Sequence, residues 1–275
     1  MQPAPFPVQR RLSSVASTLM LFALCLTLFS PFGVPQARAL TSGQAAILVL
    51  GQPTFSSMTI QPNRTRLPSG VAVDSTTGKI FVADGARNRV LRFASAANLS
   101  DGTNAEGVFG QADFISNGAN RGGTTPNANT LSQPMGIAVD SSGNLWVADY
   151  YNNRVLLVKS AGSRTSGDLG NADSVIGQPD FISGASNRSG SSTPVGDTLY
   201  SPMDVTVDSS NTLWVADSAN NRVLGFAGAT GRTGTDLGSA DVVLGQPDFA
   251  SASPNRGGLA GANTLSKPSG VAEDG

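Results

Sequence analysis

The stretch LSQPMGIAVDSSGNLWVADYYNNRVLLV, residues 131–158, decides how the chain is organised, because two further copies of it occur. The first copy is LPSGVAVDSTTGKIFVADGARNRVLRF at 67–93, and the third is LYSPMDVTVDSSNTLWVADSANNRVLGF at 199–226. A fourth begins as LSKPSGVAEDG at 265–275. The landmark aspartates 74, 140, 208 and 274 are separated by 66, 68 and 66 residues, a period that fits one supersecondary unit per repeat.

A second phrase alternates with these repeat cores. It reads VLGQPTF at 49–55, VFGQADF at 108–114, VIGQPDF at 175–181 and VLGQPDF at 243–249. We refer to the segment that runs from each of these phrases to the next repeat core as a GQPDF loop. The strict alternation indicates that one core and one loop together form the repeating unit.

Within one repeat, short apolar runs are separated by turn residues. Ile137 and Val139 form one run, and the turn residues at 140–143 separate it from the run Leu145–Ala148. Further runs at 154–158 and 174–177 are separated by the polar stretch 163–173. This order predicts four short antiparallel strands, which make one blade of a β-propeller. A β-sandwich does not require a fixed sequence period, and the coils of a parallel β-helix would repeat at a shorter period than the one observed. The observed period therefore favours propeller blades.

The sequence therefore predicts an all-β propeller with three complete four-stranded blades and partial blades at both ends. Ala46–Leu50 has the pattern of a fourth strand, and residues 268–274 have the pattern of a first strand with nothing after it. A closed propeller has about 4 to 8 blades, and three blades leave exposed edges. We accordingly expect either a truncated product or a chain that closes by self-association through its open blade edges.

The runs GIAVD, NLWVAD and NNRVL, in that order and spacing, resemble the NHL repeat, a family of β-propeller blades. The resemblance covers the three repeat cores and the start of the fourth. The intervening GQPDF phrase resembles a subgroup of secreted bacterial NHL-repeat proteins. The resemblance implies a fold rather than one activity, because NHL propellers include binding scaffolds, RNA-binding modules and enzymes.

The N-terminal residues predict export. Two arginines at 10–11 precede an apolar run at 19–29, and Ala37-Arg38-Ala39 follows a proline-containing segment. This is the layout of a secretory signal peptide cleaved after Ala39, and the run is shorter than the roughly 20 residues of a spanning helix. We expect a signal peptide at 1–39, a propeller domain at 40–275, and a secreted, cell-surface or periplasmic protein without a membrane span after cleavage.

The composition of the mature chain excludes several kinds of chemistry. Removal of Arg10, Arg11 and Arg38 leaves 18 − 3 = 15 basic residues against 19 acidic ones, and this acidic balance opposes nucleic-acid binding. The chain has no histidine, and its one cysteine, Cys25, lies in the signal peptide. Disulfides, Cys/His zinc sites and any nucleophile activated by a histidine base are thereby excluded. The sequence predicts no catalytic residue, no metal ligand set and no cofactor.

Residues that recur in every repeat are interpreted as architecture. Each second strand ends in an aspartate, and an arginine follows five residues later, close enough to pair with it across the turn. The pairs are Asp84 with Arg89, Asp149 with Arg154, and Asp217 with Arg222. Phe81, Trp146 and Trp214 are predicted to fill the space between neighbouring sheets.

The GQPDF loops carry recurring residues of their own. Four phenylalanines (Phe55, Phe114, Phe181 and Phe249) are predicted to pin each loop to its blade. Asn-Arg pairs that begin at Asn63, Asn120, Asn187 and Asn255 are predicted to bond to Asp113, Asp180 and Asp248, with a charge-lined ligand rim as the alternative. In an antiparallel meander, these loops and the turns that follow VAD emerge on the same face. Since loops on a rigid scaffold commonly carry binding residues, that face is the predicted site.

Departures from repetition supply the candidate ligand-binding residues. Tyr150 and Tyr151 replace the small pairs at 85–86 and 218–219, and Tyr200 stands where the second repeat has Ser132. Asp204 stands where the other repeats have a glycine, and we expect it beside the central channel of the propeller. Ordinary sequence drift is the alternative explanation for each of them, because loop positions vary freely.

These observations favour an exported, non-enzymatic binding or scaffold protein that presents loops on one face to a protein or glycan ligand. The alternative is a lactone hydrolase or lyase of the six-bladed type, which would hold a divalent cation such as Ca²⁺ in the channel through carboxylate and amide oxygens. Asp204 is the acid predicted for that role. RNA binding, which the family resemblance also allows, is opposed by the signal peptide and the acidic balance.

Overall fold

The structure is a computed structural model that describes residues 68–273 and, before them, residues 46, 48–50, 52, 54 and 56. The predicted signal peptide at 1–39, the phenylalanine at 55, the Asn-Arg pair at 63–64 and the aspartate at 274 lie outside the described residues. Of the helices in the described part, none combines the length and the hydropathy that a bilayer crossing requires.

Each repeat folds into four antiparallel strands that pair in chain order, which confirms the three predicted blades. Blade 1 consists of β1 (Pro68–Val73), β2 (Lys79–Asp84), β3 (Arg89–Ser95) and β4 (Gly107–Phe109). Blade 2 consists of β5 (Pro134–Val139), β6 (Leu145–Asp149), β7 (Arg154–Val158) and, after the two-residue strand β8 (Gly167–Asp168), β9 (Ser174–Ile176). Blade 3 consists of β10 (Pro202–Val207), β11 (Leu213–Asp217), β12 (Arg222–Phe226) and β13 (Val242–Leu244).

Helical structure in the described chain is confined to single turns. Each second strand is followed by a 3₁₀ turn, and others lie in the connections on either side of the fourth strands. The 3₁₀ turns are Gly85–Arg87, Ala96–Asn98, Ala119–Gly122, Tyr150–Asn152, Ala161–Ser163, Ser218–Asn220, Ala229–Gly231 and Pro254–Gly257, and one α-helical turn, α1, spans Asn187–Gly190.

The turn between the first and second strands explains a recurring aspartate. Asp140 Oδ1 accepts hydrogen bonds from the backbone N–H groups of Ser142 and Asn144, which fixes the turn. Gly143 has φ +74°, and the equivalent residue of blade 3 is Asn211 at φ 61°, because the left-handed region favours these two residue types. The second carboxylate oxygen of Asp140 accepts the indole N–H of Trp146 at 3.0 Å.

Alternation along the strands gives each blade two apolar side faces, and neighbouring blades pack face to face. Blade 1 contributes Phe81 and Ala83 to the core that it shares with blade 2, which contributes Leu145 and Val147. The core between blades 2 and 3 contains Trp146, which is fully buried, as predicted for a residue between sheets. Burial of such side chains against the next sheet is the main apolar stabilisation of this arrangement.

The polar stretch 163–173, predicted as a connection, also contains strand β8. β8 pairs in parallel with β4 of the preceding blade, so the sheet of blade 1 has a fifth strand that blade 2 supplies. An isolated parallel bridge between Val175 and Asp236 repeats this contact from blade 3 to blade 2. Neither contact could be predicted from the sequence, because the paired segments are too short and too polar to show alternation.

Candidate binding face

The buried ion pairs at the turns between the second and third strands have a structural role. Asp149 Oδ2 lies 2.8 Å from Arg154 Nε, and both side chains are fully buried. The same pair occurs in blade 1 at 2.9 Å, between Asp84 and Arg89, and in blade 3 at 2.8 Å, between Asp217 and Arg222. The predicted pairing across the turn is therefore present in all three blades.

Asp149 has further partners that leave it little capacity for proton transfer. Its Oδ1 accepts from the backbone N–H of Ser132 at 2.7 Å, and its Oδ2 also accepts from Asn152 Nδ2. Burial raises the pKa of Asp149, and the same cause raises the pKa of Asp217. Because each carboxylate is saturated with donors and closed to solvent, it holds the turn together rather than facing a substrate.

The GQPDF loops lie against these turns, at the end of the blades where the sequence placed them together. Gln178 Nε2 donates to the carbonyl of Asn153 in the turn of blade 2 and to that of Ala185 in the loop. Asn153 Nδ2 in turn donates to the carbonyl of Gly184 at 2.8 Å. Equivalent bonds join loop and turn in the other two blades. We refer to this end of the blades as the loop face.

The recurring GQPDF phrase thus has a bonding explanation in each blade. The amide nitrogen of the glutamine is bonded twice, which fixes the orientation of the amide group. The side-chain carbonyl oxygens of Gln111, Gln178 and Gln246 are buried and have no hydrogen-bond donor among the described residues. Phe114, Phe181 and Phe249 pack against the cores of their blades, as predicted for loop anchors.

The predicted bonding of the Asn-Arg pairs to the loop aspartates is wrong. Asp113 accepts instead from the backbone N–H groups of Ile115 and Ser116, and hydrogen bonds from Ser116 lower its pKa. Arg121 bonds to Asp168, which belongs to the next blade. In the next copy, Arg188 bonds to Asp197 and to Asp236 of blade 3. These arginines therefore connect neighbouring blades.

The three candidate tyrosines lie on the loop face near the junction of blades 2 and 3. The rings of Tyr150 and Tyr151 meet edge to face, with centroids 4.9 Å apart. Tyr151 is 61% exposed and Tyr200 is 43% exposed. Tyr200 precedes Ser201, whose backbone N–H donates to Asn153 Oδ1 in the turn of blade 2. The backbone N–H of Tyr151 donates to the carbonyl of Ser132, and that of Tyr200 donates to Asp217 Oδ1, so the backbone of both is held while their rings remain open to solvent.

The junction of blades 1 and 2 differs at the equivalent place. It has a hollow of about 300 Å³ lined by Gly85 and Ala86, with Gln133 and Met135 opposite. A Cβ on Gly85 would lie 2.8 Å from the carbonyl oxygen of Pro134, so the strand of blade 2 passes close to this turn. The loop face therefore has a hollow beside blade 1 and tyrosine rings beside blade 3. Gln133 and Met135 were not predicted, because nothing in their spacing indicates that they line a hollow.

Asp204 occupies a separate place, in the channel that the innermost strands line. A Cβ on Gly136 would lie 2.0 Å from Asp204 Oδ1, which shows how closely neighbouring first strands approach at this level. The carboxylate accepts the backbone N–H of Val205 at 2.9 Å and that of Val271 at 3.0 Å. Burial raises its pKa. Asp204 therefore connects blade 3 to the strand-like segment that follows it, away from the tyrosines.

A second channel acid was missed by the sequence reading. Glu273 lines the same space of about 380 Å³ as Asp204 and stands where the earlier repeats have Val73, Val139 and Val207. The sequence did contain a signal for Glu273, because GVAED in the fourth repeat departs from the GVAVD of the first repeat. Across residues 68–273 and the earlier described positions, no three acidic side chains come together as a metal site would require.

The fold and the loop face together define a protein built from β-propeller blades. The family model of the NHL repeat matches residues 65–93, 131–156 and 199–226, and the chain is therefore an NHL-repeat protein. No curated protein sequence matches the chain.

Several solved structures are similar in part. Hydrazine synthase from Kuenenia stuttgartiensis is 12% identical with a TM-score of 0.37, over 62% of this chain and 34% of that one. Selenomethionine-substituted virginiamycin B lyase from Staphylococcus aureus is 17% identical with a TM-score of 0.33, over 57% and 36%. Its catalytically inactive variant with quinupristin is 17% identical with a TM-score of 0.39, over 70% and 46%. The chain thus spans less than half the length of each of these structures.

Proposed function

We propose that this chain is an exported, non-enzymatic NHL-repeat module that binds a protein or glycan ligand through its loop face. The observation that carries the proposal is the group of tyrosines at the junction of blades 2 and 3. Tyr151 and Tyr200 expose large parts of their rings although their backbone is held by hydrogen bonds. Rigid amphipathic rings give large contact area at a small entropy cost, and tyrosines are enriched at the energetic centres of interfaces.

The rest of the loop face supports binding rather than catalysis. The turn aspartates are bonded to arginine, amide and backbone donors, and the loop aspartates are bonded to their own turns. These groups serve to hold the loops in place. A rigid platform of this kind, with one hollow and one exposed aromatic group, is suited to recognise a ligand by shape and stacking.

The neighbouring repeats supply substitutions that keep the fold and remove the rings. Tyr151→Ala introduces the residue of blade 3 at this position, and Tyr200→Ser introduces the residue of blade 2. We expect the double variant to weaken binding by about tenfold or more, since hot-spot side chains typically contribute at least that much. Binding is measured on a printed array of bacterial and host glycans and on an array of purified extracellular-matrix and bacterial surface proteins.

Leu259→Ala is the matched control, because Leu259 is 92% exposed and tests general hydrophobic adhesion. The proposal requires the control to bind as the unchanged protein does, with both variants unfolding at the unchanged temperature. Equal binding by the double tyrosine variant, or no binding by the unchanged protein on either array, would contradict it.

A cation-dependent hydrolase or lyase is a second candidate, which the pairing of Asp204 and Glu273 along the channel favours. The residues present fit a calcium ion poorly. Ca²⁺ takes 6–8 oxygen ligands, whereas the described channel offers two carboxylates, and both oxygens of Asp204 already accept backbone N–H groups. Calcium titration by calorimetry decides the matter: heat that disappears in Glu273→Gln would favour this candidate, and its absence removes it.

A further inference from the structure

The hollow between blades 1 and 2 on the loop face is a pocket that the chain itself leaves open. Gly85 and Ala86 of the blade 1 turn line it, together with Gln133 and Met135 of blade 2. Position 85 cannot carry a side chain without displacing backbone, because a Cβ there would lie 2.8 Å from the carbonyl oxygen of Pro134. With a volume of about 300 Å³, the hollow is at the lower end of the range of ligand pockets and suits one side chain.

The lining of the hollow suits an aromatic ring. Met135 presents a thioether, which makes favourable contacts with the edges of aromatic rings, and Pro68 and Ala86 add aliphatic surface. Gln133 Nε2 lies 4.0 Å from Met135 Sδ and has no oxygen acceptor among the residues that the structure describes. An apolar pocket with one amide donor of this kind can hold a ring and bond to a phenol oxygen or to a backbone carbonyl beside the ring.

Hydrogen bonds place the hollow in one row with exposed apolar side chains of the loop face. On one side, Asn88 connects Gln133 to the first GQPDF loop, because its Oδ1 accepts the backbone N–H of Gln133 and its Nδ2 donates to the carbonyl of Asn117. The same loop exposes Ile115. On the other side, the carbonyl of the residue before Gln133 accepts the backbone N–H of Tyr151. The row therefore runs from the first loop across the hollow to the exposed ring of Tyr151.

The exposed charge beside this row is negative. Asp113 and Asp180 each lie two residues before an exposed isoleucine, and neither makes a salt bridge within the described part of the chain. Hydrogen bonds from the serine three residues later lower the pKa of both carboxyls, so both are charged at neutral pH. The arginines of the same loops, Arg121 and Arg188, are bonded to aspartates of the next blade. A ligand that covers the row therefore gains from positive charge.

We propose that the hollow receives one aromatic side chain of a positively charged protein segment, which lies across the loop face between the first GQPDF loop and Tyr151. The proposal rests on the proposed binding function of the loop face and chooses a protein over a glycan as its ligand. The isoleucines that flank the row offer a sugar no side-chain hydrogen bond, and the loop aspartates would repel an acidic glycan. An aromatic anchor with cationic neighbours uses the hollow, the apolar row and the carboxylates together.

The test begins with random peptides that are displayed on phage and selected on the unchanged full chain. We expect the enriched peptides to share one aromatic residue with a lysine or arginine close to it in sequence. One enriched peptide is then synthesised with a fluorescent label, and its binding is measured by anisotropy at low and at high salt. Binding should weaken severalfold at high salt, because salt screens the exposed carboxylates from the cations of the peptide.

Two substitutions change the hollow itself. Ala86→Leu adds bulk at a position that lines the hollow, and Met135→Ala removes the thioether. Each should weaken peptide binding by about tenfold or more, as expected when an anchor loses its pocket. In Ala86→Leu, replacing the aromatic residue of the peptide by alanine should cause little further loss, because both changes remove the same contact. Ala227→Leu is the matched control, since Ala227 is exposed at the opposite end of blade 3 and its variant should bind as the unchanged protein does.

The proposal fails if Ala86→Leu and Ala227→Leu bind the peptide equally, or if the selection enriches acidic peptides or peptides without an aromatic residue. Glycan binding that depends on Tyr151 and Tyr200, with no enriched peptide, would also overturn it and would leave the binding function of the loop face in place. Peptide binding that is lost in Ala86→Leu but kept in the double tyrosine variant would support the hollow and contradict the tyrosines as the centre of binding.

Discussion

Trp146 and Trp214 occupy the same position in blades 2 and 3, yet their surroundings differ. Both follow a first-strand turn whose aspartate accepts the indole N–H, at 3.0 Å in blade 2 and 2.9 Å in blade 3. Trp146 is fully buried against blade 3, whereas Trp214 is only partly buried, at the open side face of blade 3 that points away from blade 2. A Cβ on Gly225 would lie 2.7 Å from the ring of Trp214, so this indole lies on its own sheet.

The difference separates two kinds of interaction in the repeat. Bonds within one repeat and its flanking loops, such as the turn aspartate with the indole, form whatever lies beside the blade. Apolar burial of the side face depends on the neighbour, because removing surface from water needs a second sheet. The following predictions use equivalent residues in the two blades to test this distinction, beginning with the largest effect.

Arg154→Met and Arg222→Met should destabilise the protein by equal amounts. Arg154 bonds to Asp149 and to the carbonyls of residues 127, 130 and 181, and Arg222 has the same set in blade 3. Loss of the guanidinium leaves a buried carboxylate uncompensated, which costs about 3–5 kcal/mol. Urea unfolding measures this cost as a lower free energy of unfolding. Lys159→Met, which removes an exposed cation, is the control. If Arg222→Met destabilised the protein clearly less than Arg154→Met, the hydrogen bonds of these arginines would depend on the neighbouring blade and not on the single repeat.

Trp146→Ala and Trp214→Ala should differ. Removing the buried indole of Trp146 leaves a cavity between two sheets, and the free energy of unfolding should fall by about 3 kcal/mol or more. Trp214→Ala should cost roughly half as much, because part of its ring already faces water. The same urea unfolding measures both, with Trp146→Phe and Trp214→Phe as conservative partners. Equal losses would show that the side face of blade 3 is as well covered as that of blade 2.

The smallest expected effect is a change in how the melting temperature depends on pH, and it should again not depend on the neighbouring blade. Hydrogen bonds from Ser116, Ser183 and Ser251 lower the pKa of Asp113, Asp180 and Asp248, one in each GQPDF loop. A carboxyl whose folded pKa is depressed stabilises the fold above its unfolded pKa, and this contribution is lost as the pH falls through the folded value.

The melting temperature should therefore decrease between about pH 5 and pH 2, around and below the unfolded pKa of aspartate. Asp180→Asn and Asp248→Asn, which keep an acceptor for the turn but remove its titration, should each make that decrease shallower to the same extent. Calorimetric melting curves across this range measure it. A change in slope for one variant alone would mean that the two loops differ in their contacts.

Much of the blade could be predicted from the sequence because its interactions are local. The pairing of Asp149 with Arg154 follows from their spacing across one turn, and the side-face role of Trp146 follows from its place in an alternating strand. That the turns and the GQPDF loops lie at the same end of the blades follows from the antiparallel meander of each sheet. Each of these inferences needs only one repeat and the period.

The missed features all depend on two repeats at once. The partner of Arg121 is 47 residues away in the next blade, and no spacing rule connects it to Asp168. β8 forms where the outer strand of blade 1 offers a free edge, although its own residues are polar. Glu273 joins Asp204 because successive first strands approach the same axis.

By itself, the sequence determined the repeat, the blade, the turn chemistry and which residues depart from the pattern, since these rest on contacts over short stretches of chain. Only the tertiary structure decided which departures share a surface, namely the tyrosines on the loop face and Asp204 with Glu273 in the channel, and that the repeat residue Trp214 lies at an open side face. The physical reason is that burial and close approach between blades depend on how whole sheets pack, and a period alone does not specify that packing.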